Sequence, residues 1–343
     1  MIDVRHLSKE YIVHNQNKQS GFLGAVRGMF QREKKKIHAL KDVSFQIQKG
    51  EVVGYVGTNG SGKSTTIKIL TGILRPTSGE VTVQGRDPFK YRKKNAWNIG
   101  VVFGQRSQLW WDLPVIDSYE LLYRIYGLTQ EEFQSNLNYL VEVLEIKDFL
   151  YTPVRNLSLG QRIRCEILAA FLHSPEIVIL DEPTIGLDIF VKEKIRNMIR
   201  KINKERQTTI LLTTHDMDDI TETCSRILVL SDGVIDYDGS LDEFKKENSE
   251  LRMMSFDVRE KAPNISGISE LVENIWVDSH KVRVQFDNRE YTPAQLAVKM
   301  METNDVIDLQ IEEVNIEDIL KKRYGNSSRG EQDESTAKVM VLS

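Results

Sequence analysis

The sequence contains the segment Gly57-Thr58-Asn59-Gly60-Ser61-Gly62-Lys63-Ser64, which matches the pattern G-x-x-x-x-G-K-[ST] of a phosphate-binding loop. The residues before it, Gly50–Gly57, are short, apolar and β-branched, and they predict a buried strand. The residues after it, Ser64–Leu70, predict a helix. A strand before the loop and a helix after it are the context that the pattern requires, so an ordinary glycine-rich turn is the weaker interpretation.

The chemistry of this segment favours a nucleotide. Glycines allow successive backbone N–H groups to point at phosphate oxygens, and the N-terminus of the following helix adds partial positive charge. We expect Lys63 to reach the β- and γ-phosphates of ATP and the hydroxyl of Ser64 to ligate Mg²⁺. We also expect the next residue, Thr65, to bind the nucleotide.

A second candidate site follows the apolar segment Ile177–Leu180, where the chain continues with Asp181 and Glu182. A strand that ends in a carboxylate places Asp181 at the carboxyl edge of an α/β sheet, where ligands bind. We expect Asp181 to hold Mg²⁺ through water and Glu182 to act as the general base on the attacking water. Such a pair alone is more often a solvated turn, but beside a phosphate-binding loop it favours catalysis.

The periodicity of the first part of the chain predicts an α/β fold. Further apolar strands occur at Thr209–Thr213 and Ile227–Leu230. Helical patterns lie at Ser118–Tyr126, Glu131–Leu144, Gln161–Phe171 and Ile189–Asn203. Strands that alternate with helices form a mostly parallel sheet with helices on its faces.

The pattern changes near Gly239, and residues 240–325 predict a small α+β accessory domain. Its predicted strands are Ser255–Val258, Lys281–Phe286 and Val306–Glu312, and its predicted helices are Ile265–Ile275, Thr292–Glu302 and Ile316–Tyr324. Residues 326–343 are rich in polar and charged residues and predict a disordered tail.

Composition excludes several classes of protein. The 343 residues suffice for about two domains, and the formal charge of −4 excludes a strongly basic protein that coats nucleic acid. Two cysteines exclude a disulfide scaffold and a multi-cysteine zinc site. The N-terminus lacks a secretory signal, and the apolar runs fall far below the ~20 residues of a membrane helix, so we expect a soluble protein.

The segment Leu157-Ser158-Leu159-Gly160-Gln161 lies between these two sites and identifies a family. With the phosphate-binding loop upstream and Asp181 downstream, the chain resembles the ATP-binding subunit of an ABC transporter, whose signature is L-S-x-G-Q. The third residue of that signature is usually glycine, and Leu159 replaces it here. The resemblance covers about residues 1–240. It implies an ABC-type ATPase cassette of the P-loop NTPase class over residues 1–239, with a mixed sheet, flanking helices and a helical subdomain at about residues 106–172.

Four further motifs match the family in order. Gln105 corresponds to the Q-loop glutamine, a catalytic residue and Mg²⁺ ligand, and Asp188 ends the D-loop. His215 corresponds to the switch histidine, and Tyr11 to the aromatic residue that stacks on adenine. Taken alone, each of these side chains is more often a loop, solvated or packing residue. Their joint order favours the functional interpretation.

The resemblance also implies a mechanism and partners. Two subunits would enclose two ATP molecules, with Ser158, Gly160 and the helix that starts near Gln161 binding the γ-phosphate across the interface. A separate transmembrane permease would be the partner, and the chain would lie on the cytoplasmic face of the cell membrane. The second ATPase subunit would be either another copy or a paralogue. The basic runs Lys34–Lys36 and Arg92–Lys94 are short and predict solvated faces, so we expect no nucleic-acid partner.

The last predictions concern the direction of transport and an insertion in the chain. The Q-loop region, the C-terminal domain and the insertion Asn15–Lys36 resemble exporter subunits for multidrug, antibiotic or viologen efflux. The alternative is a non-transport ABC ATPase of DNA repair, translation or iron–sulfur assembly. Within the insertion, apolar residues at helical spacing predict an amphipathic helix that packs either on a partner or on its own cassette: Phe22, Leu23, Val26, Met29 and Phe30.

Overall fold

The computed structural model describes residues 1–14, 34–104, 106–247, 251–313, 319 and 338–341. Gln105, most of the insertion Asn15–Lys36, most of the predicted helix Ile316–Tyr324 and most of the tail lie outside the described residues. The chain divides into two compact units, Met1–Leu241 and Asp242–Ser343. In the described part of the chain, every helix is too short or too polar to cross a bilayer.

The first unit alternates strands and helices. Its strands are β1 (Ile2–His14), β2 (Lys34–Ile47), β3 (Val52–Gly57), β4 (Ser78–Val83), β5 (Ile99–Phe103), β6 (Ile177–Asp181), β7 (Thr209–Thr213), β8 (Arg226–Ser231) and β9 (Val234–Ser240). Its helices are α1 (Lys63–Leu70), α2 (Arg92–Asn98), α3 (Val115–Ile125), α4 (Gln130–Leu144), α5 (Leu159–Phe171), α6 (Ile189–Arg206) and α7 (Met217–Thr223). Helix α8 (Leu241–Glu247) lies at the boundary between the units.

A six-stranded sheet in the order β5-β6-β7-β3-β8-β9 forms the centre of this unit. All neighbouring pairs are parallel except β8 and β9. Ile177, Val178, Ile179 and Leu180 of β6 are all fully buried, which is why a continuous apolar run forms a strand covered on both faces. This mixed sheet with its helices confirms the predicted α/β fold class.

A second, antiparallel sheet in the order β2-β1-β4 shares the hydrophobic core of the first unit. Strand β2 pairs with β1 as far as His14 opposite Lys34. Lys36 at this end forms an ion pair with Glu10, at 3.1 Å. The basic run Lys34–Lys36 is therefore the start of a strand.

Residues 106–171 between β5 and β6 contain three helices, α3 to α5, and two short 3₁₀ turns, Lys147–Phe149 and Val154–Asn156. Helix α4 begins with a capping box in which Thr129 and Glu132 satisfy each other's backbone N–H groups. Helix α5 begins at Leu159, two residues before the predicted start at Gln161, because Ser158 caps it.

The second unit has a five-stranded sheet in the order β13-β10-β12-β11-β14. The strands are β10 (Leu251–Val258), β11 (Asn274–Asp278), β12 (Lys281–Asp287), β13 (Val306–Glu313) and β14 (Lys338–Val341), and helix α9 spans Pro293–Met301. Its core combines sheet residues such as Phe256 and Phe286 with Leu296 and Met300 of α9.

Two predictions in this unit are wrong. Ile265–Ile275 was predicted as a helix, but turns occupy residues 266–271 and β11 begins at Asn274. Ile268, Val272 and Ile275 have the spacing of the buried face of a helix, but successive turns and the start of β11 bury them instead. Apolar spacing alone therefore could not distinguish the two structures. Four residues of the predicted disordered tail form β14, because the alternating, β-branched sequence Lys-Val-Met-Val pairs in parallel with β11.

Candidate nucleotide site

The phosphate-binding loop joins β3 to α1 with a backbone that requires glycine. Gly62 is the N-cap of α1 at φ 114°, and a Cβ atom there would lie 2.5 Å from the carbonyl oxygen of Ala39. Gly60 has φ 83° and faces open space. No side chain among the described residues caps α1, so the N–H groups of its first turn, including that of Ser64, lack a side-chain acceptor.

Lys63 is held at the mouth of this loop. Its Nζ atom donates to the carbonyl oxygens of Gly57 at 2.7 Å and Thr58 at 3.1 Å. Burial lowers the pKa of Lys63 below its ordinary value, while the negative charges of Glu182 and Asp181 oppose this shift. The ammonium group therefore binds the loop and lies close enough to Glu182, the predicted general base, and Asp181, the predicted Mg²⁺ ligand, for their charges to act on it.

The remaining loop residues also fit a phosphate group. The hydroxyl of Ser61 is buried, and the described residues offer it no hydrogen-bond partner. Thr58, Asn59 and Gly60 are exposed, and the backbone N–H of Thr65 donates to the carbonyl of Gly62 at 3.0 Å. An orphan hydroxyl, an uncapped helix start and a buried amine together provide what an anionic ligand needs.

Asp181 ends β6 and faces the same loop. Its Oδ1 atom accepts a hydrogen bond from the hydroxyl of Thr213 at 2.6 Å. Burial raises the pKa of Asp181, and Glu182 adds to this shift, while Thr213 and Lys63 lower the pKa. The Gly104 N–H donates to the carbonyl of Asp181 at 2.9 Å, so the chain that leads to Gln105 starts beside this strand.

Glu182 and His215 form a direct pair. The Nε2 atom of His215 lies 2.7 Å from Oε1 of Glu182. Glu182 has φ 53°, a left-handed conformation that costs a residue with a side chain about 1–3 kcal/mol. The N–H of Glu182 donates to the carbonyl of Thr213 at 2.9 Å, which holds this backbone in place. The strained turn thus directs the carboxylate towards the histidine that follows β7.

The signature residues form a second group, beside the D-loop. Ser158 and Gln161 make a capping box at the start of α5: the Ser158 hydroxyl accepts from the Gln161 N–H, and the Gln161 side chain accepts from the Ser158 N–H. A Cβ atom on Gly160 would lie 3.2 Å from Val191 of α6, and one on Gly186 would lie 3.3 Å from Leu159. Asp188 caps α6 by accepting from the N–H of Val191 at 3.0 Å.

Tyr11 lies on β1 opposite Ile37. The Lys9 ammonium is 5.4 Å from the centre of its ring. Its contact with adenine stays a prediction.

Sequence analysis missed several residues around the carboxylates. Thr213, which binds Asp181, ends the predicted strand Thr209–Thr213, but it was not predicted to be a site residue. Lys192 and Arg196 of α6 bind the acidic residues that follow His215. Two cations four residues apart on one helix, and a histidine followed at once by Asp216, were the available signals.

The protein oxygens at this site could bind Mg²⁺ only together with phosphate oxygens of the nucleotide. In the part of the chain that the structure describes, no group of three or more His, Cys, Asp or Glu side chains could hold a metal ion. Mg²⁺ is usually bound by one or two protein oxygens together with substrate phosphates and water. Ser64 and Asp181 provide such oxygens, whereas Gln105, the third predicted ligand, lies outside the described residues.

Comparison with known proteins agrees with this geometry. A family model described as ABC transporter matches residues 40–185. The chain is 34% identical over 222 residues to the ABC transporter ATP-binding protein NatA of Bacillus subtilis (strain 168), covering 64% of this chain and 90% of that protein. It is 31% identical over 280 residues to the methionine import ATP-binding protein MetN 2 of Enterococcus faecalis, covering 80% and 75%.

A solved structure is also similar. It is the dimeric, post-hydrolysis state of the ATP-binding cassette MJ0796 bound to ADP and Pi. The sequence identity is 28% and the TM-score is 0.59, and the match covers 70% of this chain and 99% of that chain.

Proposed function

Because this chain belongs to the family of ABC transporter ATP-binding proteins, we propose that its ATPase activity drives export through a separate membrane permease. The two curated relatives are both transporter components by name, which favours transport over the non-transport alternative. The observation that carries the catalytic part of the proposal is the contact between Glu182 and His215, at 2.7 Å, next to Lys63 and Asp181.

The proposed hydrolysis assigns one task to each side chain. Lys63 binds the β- and γ-phosphates through a charge-assisted hydrogen bond. Glu182 accepts the proton of the attacking water, and His215 holds the carboxylate in position through its Nε2 atom. Mg²⁺, when bound by Ser64, Asp181 and Gln105, neutralises phosphate charge. The hydroxyl of Thr213 holds Oδ1 of Asp181, and this carboxylate would hold the ion through water.

The proposed partner at the signature is a second copy of the chain. Leu159, Ile185, Ile189 and Phe190 expose apolar surface around Asp188, with Phe190 at 74% exposure. Large exposed apolar residues that cluster are typical of a protein interface. A second copy carries both a phosphate-binding loop and a signature, so two copies complete two sites. The dimeric form of the MJ0796 cassette supports the same arrangement.

The dimer is tested with the Glu182→Gln variant, which would trap the ATP-bound form. We expect light scattering to give twice the monomer mass with Mg²⁺ and ATP and the monomer mass with ADP. A monomer under both conditions would contradict pairing with a second copy and would favour a paralogue as partner.

The segment that follows Gln105 is the proposed permease contact. Trp110, Trp111 and Leu113 are 40%, 50% and 42% exposed, which is unusual for large apolar side chains in sequence. Aromatic residues of this kind dominate the energy of protein interfaces. Such a contact would also localise the chain to the cytoplasmic face of the membrane.

We expect Trp110→Ala to reduce co-purification of the permease from membranes and to leave the ATP affinity of the isolated subunit unchanged. Trp97, 56% exposed on α2, supplies the control variant Trp97→Ala. Equal losses for both variants would contradict a specific docking site after Gln105.

The direction of transport is proposed from the insertion and the Q-loop region of the sequence. The similarity to a methionine import subunit makes the opposite prediction. Inverted membrane vesicles with the permease and its substrate separate the two: ATP-dependent uptake into inverted vesicles indicates export, and uptake into right-side-out vesicles loaded with ATP indicates import.

The C-terminal unit is proposed as a module for self-association or docking. Leu241 is buried and its N–H donates to the carbonyl of Ser225, so a chain that ends at Leu241 keeps this contact. We expect the shortened chain to bind ATP normally and to associate more weakly. A shortened chain that does not fold would contradict the boundary.

A further inference from the structure

Helix α6 connects the D-loop to the switch histidine by a chain of polar contacts. Asp188 caps the helix, and the backbone N–H of Lys192, one turn later, donates to the carbonyl of Asp188 at 3.0 Å. The Nζ atom of Lys192 donates to Oδ2 of Asp216 at 2.5 Å. Asp216 directly follows His215, so the ammonium group of Lys192 is bound to the residue next to the histidine.

Asp216 is itself held firmly. Its side chain caps α7 by accepting from the N–H of Asp218 at 3.0 Å, and its own N–H donates to the hydroxyl of Thr214 at 3.0 Å. The side chains of Lys192 and Asp216 are only 24% and 23% exposed, so water screens this pair incompletely. Lys192 therefore binds a residue that is also hydrogen-bonded to Thr214, on the other side of His215.

A deeper contact holds α6 in place below this pair. Arg196, 5% exposed, donates to Asp219 at 2.6 Å and to Glu222 at 2.9 Å. Asp219 also accepts from the hydroxyl of Thr214 at 3.0 Å. Breaking a buried pair leaves an uncompensated charge, so this contact serves as a fixed anchor. Arg196 also lies 3.5 Å from Oδ1 of Asp216, and Lys192, the more exposed of the two cations, is the one nearer to the D-loop in the chain.

We propose that Lys192 is a positioning residue that couples the position of the D-loop to the His215–Glu182 pair. The inference rests on the proposed function, because Asp188 lies on the surface assigned there to the second subunit. Closure against that subunit would set the first turn of α6, and Lys192 would set the backbone around His215. Hydrolysis would thereby depend on a correctly seated partner.

The test is the steady-state ATPase activity of the full chain assembled with its permease. Lys192→Gln should lower kcat about tenfold and leave KM for ATP unchanged, the range expected for coupling between sites. Lys192→Arg should restore kcat. Asp216→Asn should lower kcat as Lys192→Gln does, because asparagine keeps the helix cap but removes the charge.

Two comparisons separate positioning from general stability. Lys194→Gln removes an exposed ion pair of the same helix with Glu145 and should leave kcat unchanged. In a His215→Ala background, Lys192→Gln should lower kcat less than twofold, because the residue that it positions is gone. Equal losses for Lys192→Gln and Lys194→Gln, full additivity with His215→Ala, or no recovery with arginine would overturn the inference.

Different experimental results would refute this inference and the proposed function. Near-normal turnover of Glu182→Gln would refute the proposed catalytic site itself. Normal turnover of Lys192→Gln in an enzyme that Glu182→Gln inactivates would refute only the coupling.

Discussion

The helix that follows the phosphate-binding loop and the helix that follows the signature begin in different ways. Helix α1 has Gly62 as its N-cap and no side-chain cap among the described residues, and Lys63 of its first turn is buried. Helix α5 has Ser158 as its N-cap, with a complete capping box to Gln161. In the proposed dimer, α1 of one subunit and α5 of the other are expected to bind the same γ-phosphate. The capping box satisfies two N–H groups at the start of α5, whereas the start of α1 has no such side-chain acceptor among the described residues.

The difference shows which half of the site the chain builds by itself. Around α1, one subunit assembles the loop, Asp181, Glu182 and His215 through partly buried polar contacts. Around α5, Ser158 and Gln161 satisfy each other, and Gly160 packs on Val191. The start of α5 is therefore capped by the chain's own side chains, and we propose that the signature contributes to hydrolysis only through a second subunit. Substitutions at four positions test this contrast.

The largest effect is expected for Glu182→Gln, which should lower kcat about 10²–10⁴-fold because the amide cannot accept the proton of the attacking water. ATP binding should persist, because Lys63 and Asp181 are unchanged. Phosphate release by the assembled transporter measures kcat, and the exposed Glu193→Gln on α6 serves as the control. Comparable rates for both variants would show that Glu182 is not the general base.

Lys63→Ala should weaken ATP binding about 10- to 100-fold, since a hydrogen bond to a charged group contributes about 1.5–3 kcal/mol. Calorimetric titration of the isolated subunit gives this Kd. Lys68→Ala removes an exposed cation of the same helix and should change Kd little. A similar Kd for the wild-type chain and Lys63→Ala would contradict a complete phosphate site on one subunit.

Ser158 variants should affect ATP hydrolysis only in the paired subunits. Ser158→Asp keeps the helix cap but adds a negative charge towards the phosphate, so hydrolysis should fall about tenfold with little change in Tm. Ser158→Ala loses the cap, at a cost of about 1 kcal/mol of stability. Thr129→Ala removes the same capping box from α4 and should lower Tm without affecting hydrolysis. If Ser158→Asp weakened ATP binding to the isolated subunit, the two halves would not be separate.

The smallest effect is expected for Asp181→Asn, which should raise Tm at pH 7 by on the order of 2 °C. Burial raises the pKa of Asp181 in the folded chain above its unfolded value, so ionisation of this carboxyl opposes folding. The gain in Tm should therefore shrink as the pH falls through the raised pKa of Asp181, and it should disappear below 3.8, the unfolded value, where the carboxyl is neutral in both the folded and the unfolded chain. The exposed Asp148→Asn provides the control, and a gain independent of pH would contradict a charge effect.

Much of this molecule could be predicted from local sequence. The phosphate-binding loop, Asp181 and the signature each combine residue types whose chemistry depends on their immediate neighbours. Apolar strands such as Ile177–Leu180 were found because burial on both faces requires continuous apolar residues. The same reasoning failed at Ile265–Ile275, where successive turns bury the residues that a helix would bury.

The sequence by itself determined the family and the residue types of the nucleotide site, because a phosphate cradle is built from consecutive backbone groups. Only the tertiary structure decided that His215 binds Glu182 and that Lys192 binds Asp216. The second pair is separated by 24 residues, and strands β6 and β7 bring the first pair together by ending side by side. Spacing along a chain does not specify such contacts, because they depend on which strand ends share one edge of the sheet.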